Sequence, residues 1–280
     1  MGNARQKRGK MTIRPPAVAG TFYPANPSLL RQEVAALLVA AEEVPAAVMP
    51  RALLCPHAGY RYSGLTAAHA FARAAGHTPR SVVLLGRSHH FSFPGIAPWP
   101  AGSLATPLGQ SPVDVGLTAR LVEGLPTAGP QMHGPEHALE VMLPFVQHVF
   151  GKVPVVALLF GAEPSALALD FGQRLAAELS GDDLLVLSTD LSHFLDEPSA
   201  NAVDHRTLHA LTHDTAEAFL HEEASHEISL CGATAVAAGL AFLEAAGVTG
   251  RHLLDYRTSA WASGDRGRVV GYAAMSFEMT

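Results

Sequence analysis

Three short apolar runs in this chain each end in a histidine. Ala52-Leu53-Leu54-Cys55 runs into Pro56-His57-Ala58-Gly59-Tyr60. Ser81-Val82-Val83-Leu84-Leu85-Gly86 runs into Arg87-Ser88-His89-His90, and Leu184-Leu185-Val186-Leu187-Ser188 into Thr189-Asp190-Leu191-Ser192-His193. Unbroken apolar runs this short fit strands of a parallel sheet covered on both faces. In open α/β sheets, ligands bind beyond the carboxyl ends of such strands. One rim would then gather His57, His89, His193 and Asp190, and gathered imidazoles serve metal binding or proton transfer.

Between these runs the apolar spacing turns helical. Ser28 reads as the N-cap of a helix reaching Glu43, with Leu30, Val34, Leu37, Leu38 and Ala41 on its apolar face. Further helices are predicted over about 64–75, 114–123, 137–149, 164–180, 199–224 (broken near His213-Asp214) and 231–246. They alternate with strands over about 52–55, 82–86, 153–159 and 184–188. Two closing strands, about 252–258 and 268–277, have no helix between them and are expected to pair antiparallel. The proline-rich stretch 93–113 reads as an irregular excursion with one or two edge strands. This alternation predicts an α/β fold with a central, largely parallel mixed sheet flanked by helices. Residues 1–13, with Arg5, Lys7, Arg8 and Lys10, read as a disordered basic tail, and residues 14–280 as one domain.

Composition narrows the partners. The chain has 280 residues, 48% hydrophobic and only 16% charged, enough apolar material for a large core. A net charge of −6 argues against nucleic-acid binding, which needs a basic footprint. The basic N-terminus lacks the apolar segment of a secretory signal, and no run is long enough to span a bilayer. Two cysteines, Cys55 and Cys231, make a disulfide framework implausible, so the reducing cytoplasm is the expected setting.

Each candidate residue carries a structural reading beside the chemical one. His57 follows a strand in a loop, where function concentrates, yet a lone histidine there is often structural. His89 and His90 are adjacent, so on extended backbone only one faces a pocket. Asp190 and His193 share a face if the loop turns helical; Asp190 then orients an imidazole, or alternatively caps a helix. Glu136-His137-Ala138-Leu139-Glu140 is either a pocket wall or an acidic helix start, with both glutamates on one helix face. Cys231, at a predicted helix start, is a nucleophile or metal ligand with a lowered pKa, or simply a small buried hydrophobe. Asp255, Tyr256, Arg257, Ser259 and Ser263-Gly264-Asp265 rim the pocket or form an ordinary turn. His205, His209 and His213 repeat every four residues, which fits a solvated helix face better than a metal stripe.

Pro56-His57-Ala58-Gly59-Tyr60, Ser88-His89-His90, Glu136 to Pro144, Ser188 to His193 and Cys231-Gly232, in this order, resemble the Memo family. Its prokaryotic members are called AmmeMemoRadiSam system protein B, and the resemblance spans about residues 14–278. It implies a fold like that of the class III extradiol dioxygenases. It also implies a metal site of His57, His89 and Cys231, the cysteine standing where the dioxygenases have a carboxylate. His193 matches their acid–base histidine, with Asp190 beside it. His90, Glu136, His137, Glu140 and Tyr60 are then expected at the substrate pocket. The reading favoured is a metal-binding redox protein, dioxygenase-like, using Fe(II), with copper or zinc as alternatives because thiolate is soft. A small molecule or peptide would be its ligand, with no nucleic acid or membrane involved. Two other readings stand beside it. One is a metal-free enzyme with Cys231 as nucleophile. The other is a non-enzymatic peptide- or protein-binding module that keeps the pocket, with a radical-SAM-linked system as partner.

Overall fold

A computed structural model of the protein describes residues 12–161 and 166–279. The strands are β1 (Ile13–Arg14), β2 (Ala52–Cys55), β3 (Ser81–Arg87), β4 (Ile96–Pro98), β5 (Ser103–Thr106), β6 (Gly109–Pro112), β7 (Val155–Phe160), β8 (Asp183–Ser188), β9 (His193–Leu195), β10 (Gly250–Thr258) and β11 (Val269–Glu278). The helices are α1 (Pro27–Ala40), α2 (Tyr60–Arg73), α3 (Val115–Val122), α4 (Leu143–Phe150), α5 (Ala166–Glu178), α6 (Glu197–His213), α7 (Ala216–Ala224), α8 (Ala233–Ala245) and the single turn α9 (Ala260–Ser263).

The main sheet runs β10-β11-β2-β8-β3-β7-β4, with β9 paired to β11. Its four central strands, β2, β8, β3 and β7, are parallel. The flanking strands β11, β10 and β4 are antiparallel to their neighbours. The three histidine-bearing strands β2, β8 and β3 lie side by side and point the same way, so their carboxyl ends share one rim.

Both faces of these strands are covered, which is why their sequences do not alternate with polar residues. Leu54, Val83, Leu85, Leu185 and Leu187 pack with Phe171 and Leu175 of α5 and Phe242 of α8. Leu53, Val82, Leu84, Leu184 and Val186 pack on the opposite face with Leu30 of α1, Phe71 of α2 and Phe145 of α4. Each such leucine contributes about 1.5–3 kcal/mol by leaving water.

Several local expectations shift. The first helix starts two residues early, because the cap is Asn26 and not Ser28; the Asn26 side chain accepts the Ser28 and Leu29 amides. Pro27 fits there because a first-turn proline loses no hydrogen bond. The helix expected from residue 137 begins only at Leu143, after a short 3-10 turn over Glu140–Met142. Pro144 explains the delay, because its ring would collide with the carbonyl of residue 140 in a continuing helix. The 93–113 excursion holds three short strands; β5 and β6 form a separate small sheet with β1. Ile13 is thus already in a strand, while most of the proposed tail, residues 1–11, lies outside the described residues. His205, His209 and His213 face solvent on α6.

Candidate metal centre

The rim at the ends of β2, β3 and β8 brings His57, His89 and Cys231 together, with one donor atom from each within 4.8 Å of the others. The two rings meet edge to face, 5.0 Å between centroids. His57 Nε2 is 3.2 Å from Cys231 Sγ. These residues come from three chain segments, so only the fold assembles them.

Hydrogen bonds fix which ring nitrogen of each histidine is available. Ser188 Oγ donates to the Ala138 carbonyl at 2.6 Å. It has then spent its one proton and must accept from His57 Nδ1, 2.8 Å away. His57 is therefore protonated on Nδ1, and its Nε2 lone pair faces the centre. His89 Nδ1 lies 3.0 Å from Glu136 Oε1 and donates to it, which frees its own Nε2. A carboxylate or hydroxyl behind a ligating imidazole is the usual means of setting ring orientation and basicity.

Cys231 is held by the turn that joins β8 to its histidine. The Asp190 amide donates to Sγ at 3.2 Å, and the Cys231 amide donates to the Asp190 carbonyl at 3.1 Å. Gly232 permits this approach, because a Cβ there would stand 2.5 Å from the Ser188 carbonyl oxygen. The expected lowering of the thiol pKa is not found. Burial, reinforced by the Asp190 carboxylate, pushes Cys231 up to about 12. A metal-free nucleophile needs the opposite shift. A cation that replaces the thiol proton would make the sulfur a ligand.

The charges around the centre are tuned in opposite directions. Burial, with the imidazoles of His89 and His137 adding to it, holds His57 well below the usual histidine range. Burial raises Glu136, but the His89 side chain and the Ala138 and His89 amides more than offset it and hold the carboxyl at about 2. Asp190 goes the other way: burial pushes it up to about 7, against the His57 and Ala58 amides. It accepts the His57 amide at 2.8 Å, and its Oδ2 lies 4.0 Å from His57 Nε2. Because His57 is held neutral, that approach is not an ion pair.

The other expected site residues divide. His137 stands at the centre, its ring 4.8 Å from that of His89 and 5.4 Å from that of His57. His90 is exposed at the edge, 6.3 Å from the His137 ring. His193 opens β9 on extended backbone, so Asp190 and His193 do not share a helix face. Asp190 is also not a helix cap. The tautomer of His193 is set by the Leu191 carbonyl, 2.8 Å from Nδ1, and not by Asp190 or a glutamate; Nε2 is left free. Burial holds His193 below its usual range, against that hydrogen bond.

Glu140 and Tyr60 do not line the pocket. Glu140 points away from it and accepts from Arg14, from the Ala17 and Val18 amides and from Tyr23 Oη. Tyr60 is buried at the start of α2, where its hydroxyl donates to the Val141 carbonyl at 2.8 Å and its ring packs on Phe145. Both brace the wall from behind. The residue that sequence reasoning passed over is Ser188, whose role depends on Ala138, fifty residues away. Its only local signal is a hydroxyl at the end of an apolar run.

The Memo-like protein family profile matches residues 14–276. A MEMO1 family protein of Aquifex aeolicus is 33% identical over 274 residues, spanning 95% of this chain and all of that protein. One from Methanopyrus kandleri is 32% identical over 280 residues, spanning 94% of this chain and 98% of that protein. Among solved structures, an uncharacterized protein of Escherichia coli, JW3007, aligns with a TM-score of 0.50 at 16% identity, over 81% of this chain and 99% of that one. That likeness concerns the fold alone, and the central mixed sheet flanked by helices is the architecture that the alternation of apolar runs predicts. No helix among the described residues is long and apolar enough to cross a membrane.

Proposed function

This chain belongs to the Memo family, and from that premise we propose that it is a metal-dependent redox protein of the cytoplasm, its ion held by His57, His89 and Cys231. The observation that carries this reading is the convergence of two imidazoles, their protons already arranged, on the Cys231 sulfur. Both imidazoles are fixed as Nδ1–H tautomers, so both Nε2 atoms are free to bind. Two imidazoles and one anionic donor leave open positions, and Fe(II) held so would supply one-electron redox chemistry; copper and zinc compete for the soft sulfur, zinc without redox chemistry of its own.

The protein's own groups handle the protons. Cys231 gives up its thiol proton on loading. His193, neutral and with Nε2 free, accepts a proton from a substrate hydroxyl. Asp190, pushed up to about 7 by burial, stands beside Cys231. Glu136 stays ionised and keeps His89 aimed.

A second group, His89, Glu136 and His137, also lies within 4.8 Å. Glu136 is a poor ligand there, because its oxygens already accept from His89 twice and from the amides of His137 and Ala138. Anaerobic purification followed by elemental analysis tests the proposal. Near-stoichiometric iron, copper or zinc, lost on His57→Ala and on Cys231→Ala, is expected. Absence of all three metals, or retention in both variants, overturns it.

A further inference from the structure

β11 runs alongside the turn that carries Asp190 and His193. The Leu191 amide donates to the Gly271 carbonyl, the Gly271 amide donates to the Ser192 carbonyl, and Val270 stands opposite His193 in the ladder. On this side lies a cavity of about 260 Å³ whose lining includes Tyr62, Asp265, Arg268, Val270 and Tyr272. Drug-sized ligands occupy about 300–1,000 Å³, so this one suits a single ring with small substituents.

Its polar groups are disposed to receive an anion. Arg268 makes no ion pair with a described residue; its guanidinium lies over the Phe194 ring, 4.4 Å from the centroid. Stacking occupies the face of the guanidinium and leaves its in-plane N–H groups for a bidentate partner. Phe194 is 61% exposed and has φ +66°, a left-handed conformation that a bulky residue adopts only when its surroundings impose it. It directly follows His193, so the strain holds an aromatic platform, with Arg268 on top, beside the proton-handling histidine. Tyr272 is 3% exposed, yet its hydroxyl hydrogen-bonds to no described residue, and it lies near enough to Asp190 to feel its charge. Asp265 is the one acid in the lining, and its Oδ1 is taken by the Gly267 amide of its own turn, at 2.8 Å.

We propose that this cavity is a recognition subsite for a planar aromatic carboxylate, its carboxylate held by Arg268 and its ring packed on Tyr62, with Tyr272 at the cavity floor. The subsite's role as substrate anchor rests on the metal-centre reading above; its binding chemistry does not. The test titrates benzoate into EDTA-treated, full-length protein, followed by calorimetry and by the ring resonances of Tyr62 and Tyr272. Saturable binding that shifts both rings is expected. Arg268→Ala weakens it about 10–100-fold, as loss of a charge-assisted hydrogen bond does. Arg268→Lys, which keeps the charge but loses the fork, also weakens it, and neutral benzamide binds correspondingly more weakly. Arg268 is exposed, so neither variant threatens folding. No saturable binding, equal binding of benzamide, or indifference to Arg268→Ala overturns the subsite. Metal loading is measured separately. Arg268-dependent benzoate binding in a protein that takes no metal sustains the subsite and removes the metal reading, and the reverse pattern does the opposite.

Discussion

Glu136 and Glu140 stand four residues apart in one motif, are 2% and 1% exposed, and do different work. Glu136 turns toward the rim and collects N–H groups from His89, His137 and Ala138. Glu140 turns toward the N-terminal segment and collects Arg14, Tyr23 Oη and the Ala17 and Val18 amides. One carboxylate aims an imidazole; the other latches a strap of chain over the fold. Arg14 couples them, because its guanidinium also donates to the carbonyls of His133 and Glu136 and so pins the loop that carries Glu136. A buried carboxylate is tolerated in both places for one reason, that its lone pairs are filled. What it filled them with decides its role.

The contrast breaks most visibly at the latch. Glu140→Ala strands a buried guanidinium and should cost about 3–5 kcal/mol in urea unfolding of metal-free protein. A loss below about 1 kcal/mol would mean that Arg14 finds water instead, and that the latch is not structural.

The latch side should also set part of the acid sensitivity. Burial holds His133 at about 4, against its hydrogen bond to the Ala97 carbonyl. A depressed histidine favours the folded state while neutral. Its contribution is present above the ordinary value of 6.5 and is lost as pH falls toward 4. The loss amounts to about 3 kcal/mol at most. His133→Gln should flatten stability against pH in that window; an unchanged slope would assign the acid sensitivity to the rim histidines alone.

At the rim the effect should appear in metal affinity more than in stability. Glu136→Gln should weaken metal binding about 10–100-fold while destabilising the chain less than Glu140→Ala. Equal stability losses with unchanged affinity would show the two glutamates to be structural equivalents. The smallest effect is expected from Tyr23→Phe, about 1.5 kcal/mol, because Glu140 keeps its other three donors. A change in metal affinity in that variant would show that the strap reports to the centre through Arg14.

Much of the fold was legible because its determinants are local. Apolar runs of four to six residues ending in loops give doubly covered strands, and adjacent parallel strands must end on one rim. His57, His89, Asp190 and His193 were therefore placed at one edge by pattern alone, and the ordered motifs point to the family. The helix start at Leu143 was missed although Pro144 signals it, since the acidic turn before it also reads as a first helical turn. The roles of Glu140 and Tyr60 were out of reach. Glu140 answers to Arg14, 126 residues away, and Tyr60 to Val141, 81 residues away.

Periodicity fixes which face a side chain takes, because it is a property of neighbouring residues. The partner of a buried polar group is chosen by whatever the rest of the chain brings within 3 Å or so of it. By itself the sequence determined the sheet, the rim and the histidines upon it. Only the tertiary structure decided that Ser188 and Glu136 turn two of those histidines into Nε2 donors, and that Cys231 meets them with its proton still bound. It alone sent one glutamate of a five-residue motif to the site and the other to a latch.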